Sequence, residues 1–118
     1  MKVSEFVSYL FEIEVVAHIA HAQTTSFAMH LALGTLYEDI VGHRDSFIES
    51  YQGKYGIITG YKSVNPNEGI DVIKYLTNIR SEFETFRLTL DKDGYLQQIM
   101  DDIIELLNTT LYKLRFLK

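Results

Sequence analysis

The chain has 118 residues, 47% of them hydrophobic and 23% charged, enough for one helical or mixed domain with a core and too few for a second. It contains no cysteine, which excludes disulfides and thiolate metal sites, so any metal ligand must be His, Asp, Glu or Tyr, a set suited to iron, manganese or carboxylate-rich zinc. A net charge of −5 without a basic tail or stripe argues against generic nucleic-acid binding. No apolar run is long enough to cross a bilayer and the Met1-Lys2-Val3 start does not look like a signal peptide, so no membrane partner and a cytoplasmic location are expected.

From Val3 the apolar residues Phe6, Val7, Leu10, Ile13, Ala17 and Ala20 recur at helical spacing and predict a helix over 3–23. A second apolar line, Phe11, Val15, Ile19 and Ala22, runs beside the first, so one face can serve the chain's own core and the other a neighbouring subunit. Gln23-Thr24-Thr25-Ser26 breaks the pattern with residues that favour caps. A second helix is expected over 26–52, with Leu33, Tyr37, Ile40, Phe47 and Tyr51 along one side. Gly53, Gly56 and Gly60 then punctuate a loop holding Tyr55 and Tyr61, whose tyrosines read as packing groups.

Asn65-Pro66-Asn67-Glu68 has the composition of a helix start, with Asn to cap, Pro for the first turn and Glu68 to reach back. The third helix is therefore expected over 66–90, carrying Val72, Leu76, Ile79, Phe83, Phe86 and Leu90. After the Asp91-Lys92-Asp93-Gly94 turn, a fourth is expected over 94–117. Ile57-Ile58-Thr59 is the one β-like stretch and is too short for a sheet. The expected fold is all-α, an antiparallel four-helix bundle in a single domain spanning 1–118.

All four histidines, His18, His21, His30 and His43, fall in one short window with Glu38, Asp39, Asp45 and Glu49. No glutamate lies three residues before a histidine, so the paired Glu-x-x-His pattern of di-iron bundles is absent. Instead His30 follows His18 by twelve residues, Asp45 follows by fifteen more, and Glu49 by four more. With Leu36-Tyr37-Glu38 and His43-Arg44-Asp45 around them, these residues resemble the mini-ferritins, the Dps family of the ferritin-like superfamily. The closing Leu111-Tyr112-Lys113-Leu114-Arg115-Phe116-Leu117 is similar to that family's last helix, less specifically.

The resemblance implies a ferritin-like fold and a ferroxidase that binds and sequesters non-haem iron, as one ion or a di-iron pair, with zinc or manganese as alternative occupants. Its metal-binding and catalytic residues are then His18, His30, Asp45 and Glu49. The imidazoles and Asp45 would bind ferrous iron and Glu49 would bridge toward a second position. Asp45 and Glu49 share a helical face one turn apart, whereas His30 lies about 22 Å from Asp45 along the same helix at 1.5 Å per residue. One site can use all four only if two copies meet across a two-fold axis, so the expected partner is the chain itself, a homodimer at minimum and a twelve-subunit shell at most.

Gly34 and Gly42 inside the second helix cost about 1 kcal/mol each relative to alanine, and close approach of that partner is the expected reason. His21 and His43 read as supporting or surface groups, and Glu12 and Glu14 as solvated or interface charges. The sequence departs from the family in having Ile19 where members carry tryptophan after the first histidine, in its shorter link after the second helix, and in lacking a lysine-rich tail, so DNA binding is not expected. The competing reading is a non-enzymatic helical-bundle interaction protein with a silent metal site.

Overall fold

The computed structural model describes residues 1–64 and 68–118. Among them the chain is all-helical, with α1 over Val3–Gln23, α2 over Phe27–Tyr55, α3 over Val72–Arg87 and α4 over Gly94–Phe116; a single 3-10 turn, Leu88–Leu90, extends α3. No strand occurs among the described residues, and Ile57-Ile58-Thr59 is loop. No described helix is long and apolar enough to cross a membrane.

The first connection is short because capping chemistry closes it on both sides. Thr24 donates its backbone N–H to the Ala20 carbonyl at 3.0 Å, ending α1, and the Ser26 hydroxyl accepts from the Met29 backbone N–H at 3.3 Å, starting α2. Helix α2 runs three residues past the expected end, to Tyr55. Gly53 meets no obstacle there, and Gly56, at φ +96° and ψ 177°, takes a conformation open essentially only to glycine and turns the chain out of the helix.

The loop that follows folds back over α1. Ile58 is buried, its N–H held by the Gln52 side-chain oxygen at 3.0 Å, and the Lys62 backbone N–H donates to the Ser8 hydroxyl at 2.9 Å. Lys62 also pairs with Glu5 at 3.1 Å.

Helix α3 begins at Val72, not in the expected 66–68 region. The Asn65-Pro66-Asn67 part of that start signal lies outside the described residues; Glu68 and Gly69 form a turn, and Asp71 is the cap, accepting from the Lys74 N–H at 3.2 Å. Gly69, at φ +73°, opposes continuation of a helix through this point. At the other end α4 starts at Gly94 as expected and closes at Phe116.

Phe6 ties three helices together. Its ring lies 4.7 Å from Phe47 of α2, and 4.8 and 4.9 Å from Phe83 and Phe86 of α3, centroid to centroid. Around it pack Leu10, Ile13, Leu33, Leu36, Ile40, Leu76, Leu96, Met100, Ile103 and Leu107, one continuous apolar core. The first apolar line of α1 is this core face. The second is only partly covered by the described residues: Val15 and Ala22 are exposed and Phe11 and Ile19 half-buried, Phe11 beneath Arg44 of α2. The side chains of α1 and α2 pair in order, His21 with His30, His18 with Tyr37, Glu14 with Arg44 and Phe6 with Phe47, so the two helices lie side by side along most of their length.

Candidate metal centre

Two polar clusters lie along the α1–α2 pair, one at the connection end and one near the middle of α1. At the connection end, four rings stack in succession. His18 lies flat on Tyr37 (3.9 Å between centroids, 13° between planes), and His21 lies on His30 (3.7 Å, 20°) while meeting Tyr37 edge-on at 5.2 Å. His18 is exposed, and His21, His30 and Tyr37 are half-buried.

The inner pair is tied reciprocally. His21 Nδ1 lies 2.6 Å from the His30 carbonyl, and His30 Nδ1 lies 2.9 Å from the His21 carbonyl. A carbonyl oxygen can only accept, so both Nδ1 atoms carry a hydrogen, and in the neutral form of either ring Nε2 is the unprotonated nitrogen. That is the orientation in which imidazole ligands are generally held, with one ring nitrogen fixed by a hydrogen bond and the other free to donate its lone pair.

Gly34 sits beneath this pair. A Cβ built there would lie 3.2 Å from His21 Cε1 and 3.3 Å from His21 Nδ1. The expectation that Gly34 makes room for a second subunit is therefore corrected: the ring it accommodates belongs to its own chain. Gly42 has nothing within 4 Å of such a Cβ and stays open on the outer side of α2.

Farther along α2, Arg44 is buried across the groove between the two helices. Its Nη1 contacts Glu14 Oε1 at 3.0 Å, its Nε holds Asp45 Oδ1 at 3.2 Å, and its guanidinium lies 4.1 Å above the Phe11 ring. Stacking and two carboxylates together make that burial tolerable for a cation that cannot shed its proton. Glu14 is thus the counter-ion of a buried arginine, a role that reading it as a solvated or interface charge does not capture. Asp45 is itself exposed despite this contact, as is Glu49 one turn on.

The four sequence-predicted ligands consequently divide into two pairs. His18 and His30 flank His21 near the connection, while Asp45 and Glu49 lie beyond Arg44. Among the described residues of one chain no three His, Asp or Glu side chains converge closely enough to hold a metal ion. The donor types nevertheless fit iron: one imidazole with a bare Nε2, a second that is exposed, and two exposed carboxylates on one helical face.

Sequence reasoning missed the contacts that His21 and Arg44 make. For His21 a signal existed, because His21 and His30 lie nearly symmetrically about the Thr24–Ser26 connection, which places them opposite each other if the helices fold back. For Arg44 none did, since its partner Glu14 is thirty residues away. A third cluster went unread altogether. The buried carboxylate of Asp93, just before α4, accepts from Lys54 and Tyr55 at the end of α2 and from Tyr95 at 3.2 Å. The Lys54 ammonium, followed by the Tyr55 hydroxyl, holds the Asp93 carboxyl below its ordinary range, and Asp93 in turn raises Lys54.

The chain belongs to a family of unknown function (DUF5856), whose model matches residues 21–114. That span contains His21, His30, Arg44, Asp45 and Glu49 and leaves His18 outside. No curated protein and no solved structure matches the chain.

Proposed function

We propose that two copies of this chain, each an antiparallel bundle of the ferritin-like, Dps-like kind, pair through the outer face of α1 and α2. Each of the two equivalent sites so formed takes His18 and His30 from one copy and Asp45 and Glu49 from the other, and binds and oxidises ferrous iron. The observation that carries this reading is the division of one partly uncovered face into a histidine end and a carboxylate end. A two-fold axis between the ends sets each histidine pair against the other copy's carboxylates, and a single chain cannot. The exposed Val15 and Gly42 between the ends leave room for a neighbour to approach.

In such a site His30 through Nε2, His18 and Asp45 would hold the ferrous ion, and Glu49 would serve a second one. Arg44 keeps Asp45 from swinging free while leaving one of its oxygens available. Each iron gives up one electron, so two irons reduce one hydrogen peroxide, with two protons, to water; oxygen is the other oxidant to test.

Subunit complementation tests the proposal directly. A His18→Ala/His30→Ala chain and an Asp45→Ala/Glu49→Ala chain are each expected to lose ferrous oxidation. Co-refolded in equal amounts, they regain about a quarter of wild-type activity, because half of the dimers are mixed and each mixed dimer rebuilds one of its two sites. Full activity in either parent chain, or no recovery in the mixture, rejects the shared site.

The second reading, a helical interaction protein with a silent metal site, draws on a separate feature. An open groove of about 560 Å³ between the start of α2 and the end of α4 is lined by Phe27, Leu31, Leu117 and Lys113, with Phe27 75% exposed. Retention of a dimer that binds no ferrous iron would favour that reading.

A further inference from the structure

We infer that His21 is a positioning residue: through its reciprocal lock with His30 it holds the neutral His30 imidazole as the Nδ1–H tautomer, which leaves Nε2 as the nitrogen that can take a metal ion. The inference rests on the reading of His30 as a ligand, and it assigns the preparation of that ligand to the neighbouring helix.

The lock follows from where the two residues fall. His21 is in the last turn of α1, where carbonyls lack an intrahelical partner, and the neighbouring Ala20 carbonyl is already taken by the Thr24 N–H. The His21 carbonyl is filled by a side chain from the next helix, His30 Nδ1 at 2.9 Å. The same contact in reverse, His21 Nδ1 to the His30 carbonyl at 2.6 Å, fixes the His21 ring. The rings then stack at 3.7 Å, so neither can rotate about its Cβ–Cγ bond without losing both a hydrogen bond and a ring contact.

Three features make the arrangement more than a helix cap. An imidazole free in water prefers the Nε2–H form, so two bonds to backbone oxygens impose the less common tautomer on both rings. Gly34 gives up helix propensity where any Cβ would press on His21 Cε1. Tyr37 closes the edge of His21 at 5.2 Å and carries His18 on its own face, so the lock also aligns the second proposed ligand.

The experiment is long-range proton–nitrogen NMR on the full chain with nitrogen-15-labelled histidine, at about pH 8 where ordinary imidazoles are neutral. Single His→Gln variants assign the signals, and cobalt(II) is the metal probe. In the wild type His21 and His30 are expected to show protonated Nδ1 and bare Nε2, and cobalt to displace or broaden the His30 Nε2 signal.

His21→Ala is expected to return His30 toward the Nε2–H form and weaken cobalt binding about 10- to 100-fold. His21→Phe, which keeps a ring against His30 but lacks the donor, should fall between. A purely structural role would lower the thermal midpoint of these variants and leave both the His30 tautomer and the cobalt affinity unchanged, which overturns the inference. So does a wild-type His30 found as the Nε2–H form, whether or not cobalt binds. If the tautomers are as expected but cobalt moves no histidine signal, the metal reading fails, and the positioning role falls with it for a different and recognisable reason.

Discussion

Glu14 of α1 and Arg44 of α2 form an ion pair, 3.0 Å between Oε1 and Nη1, in which the guanidinium is nearly buried and the carboxylate about a quarter exposed. The asymmetry decides what each substitution should do. Removing Glu14 strands a buried cation with only Asp45 to offset it, whereas removing Arg44 leaves a carboxylate that water can reach. Because water screens one side of the pair, Glu14→Ala is expected to cost about 1–3 kcal/mol, below the range for a fully buried pair. Combining it with Arg44→Met should restore part of that loss, so that the double variant is more stable than the two single losses sum to. Urea unfolding of the four proteins gives the answer; strict additivity would mean that the pair contributes nothing.

Asp93 links the end of α2 to the start of α4, and its depressed carboxyl makes that link sensitive to acid. A carboxyl whose folded value lies below its unfolded value, ordinarily about 3.9, stabilises the fold fully above that unfolded value. The contribution is lost as pH falls through the lower folded value. Lys54 and Tyr55 are both raised, so their shares are complete below their ordinary ranges and disappear as pH rises through the folded values. Asp93→Asn is therefore expected to lower the thermal midpoint at neutral pH and to make progressively less difference below about pH 4. Calorimetry across that range would show converging curves; a constant gap from neutral to strongly acid pH would contradict the assignment.

The glycines of α2 should respond oppositely to the same change. Gly42→Ala adds a methyl where nothing lies within 4 Å and replaces a poor helix former by the best, a gain of up to about 1 kcal/mol in the single chain. Gly34→Ala brings the same intrinsic gain but sets its methyl 3.2 Å from a ring held by two hydrogen bonds and a stack, so the gain should be cancelled or reversed. Chemical denaturation at protein concentrations low enough to suppress association separates the two. Equal stabilisation would show that His21 yields freely.

The helical pattern was legible because the residues that make the core repeat at helical spacing: Phe6, Leu10 and Ile13, or Leu76, Ile79 and Phe83, need no knowledge of their neighbours to declare a face. The start of α3 was misplaced because a Pro-containing capping signal is local, while Asp71 also caps and has the apolar run directly behind it. The candidate site was legible only as a set of residue types at suggestive intervals. What positions it, a carbonyl at the end of one helix meeting a ring at the start of the next, depends on the connection being just Thr24, Thr25 and Ser26. Glu14 and Arg44 were opaque for the complementary reason, since charge pairing across helices leaves no periodic trace in the chain.

That brief connection also has a kinetic consequence. Closing it demands little loop entropy, and the contacts it brings together, from His21 against His30 onward, are close in sequence and can zip away from the bend. Helices α1 and α2 should thus be the nucleus on which the later half condenses. Perturbing the bend with Ser26→Gly should slow refolding, while trimming Leu107 should chiefly hasten unfolding. Stopped-flow chevrons with those effects exchanged would place the nucleus in α3 and α4 instead.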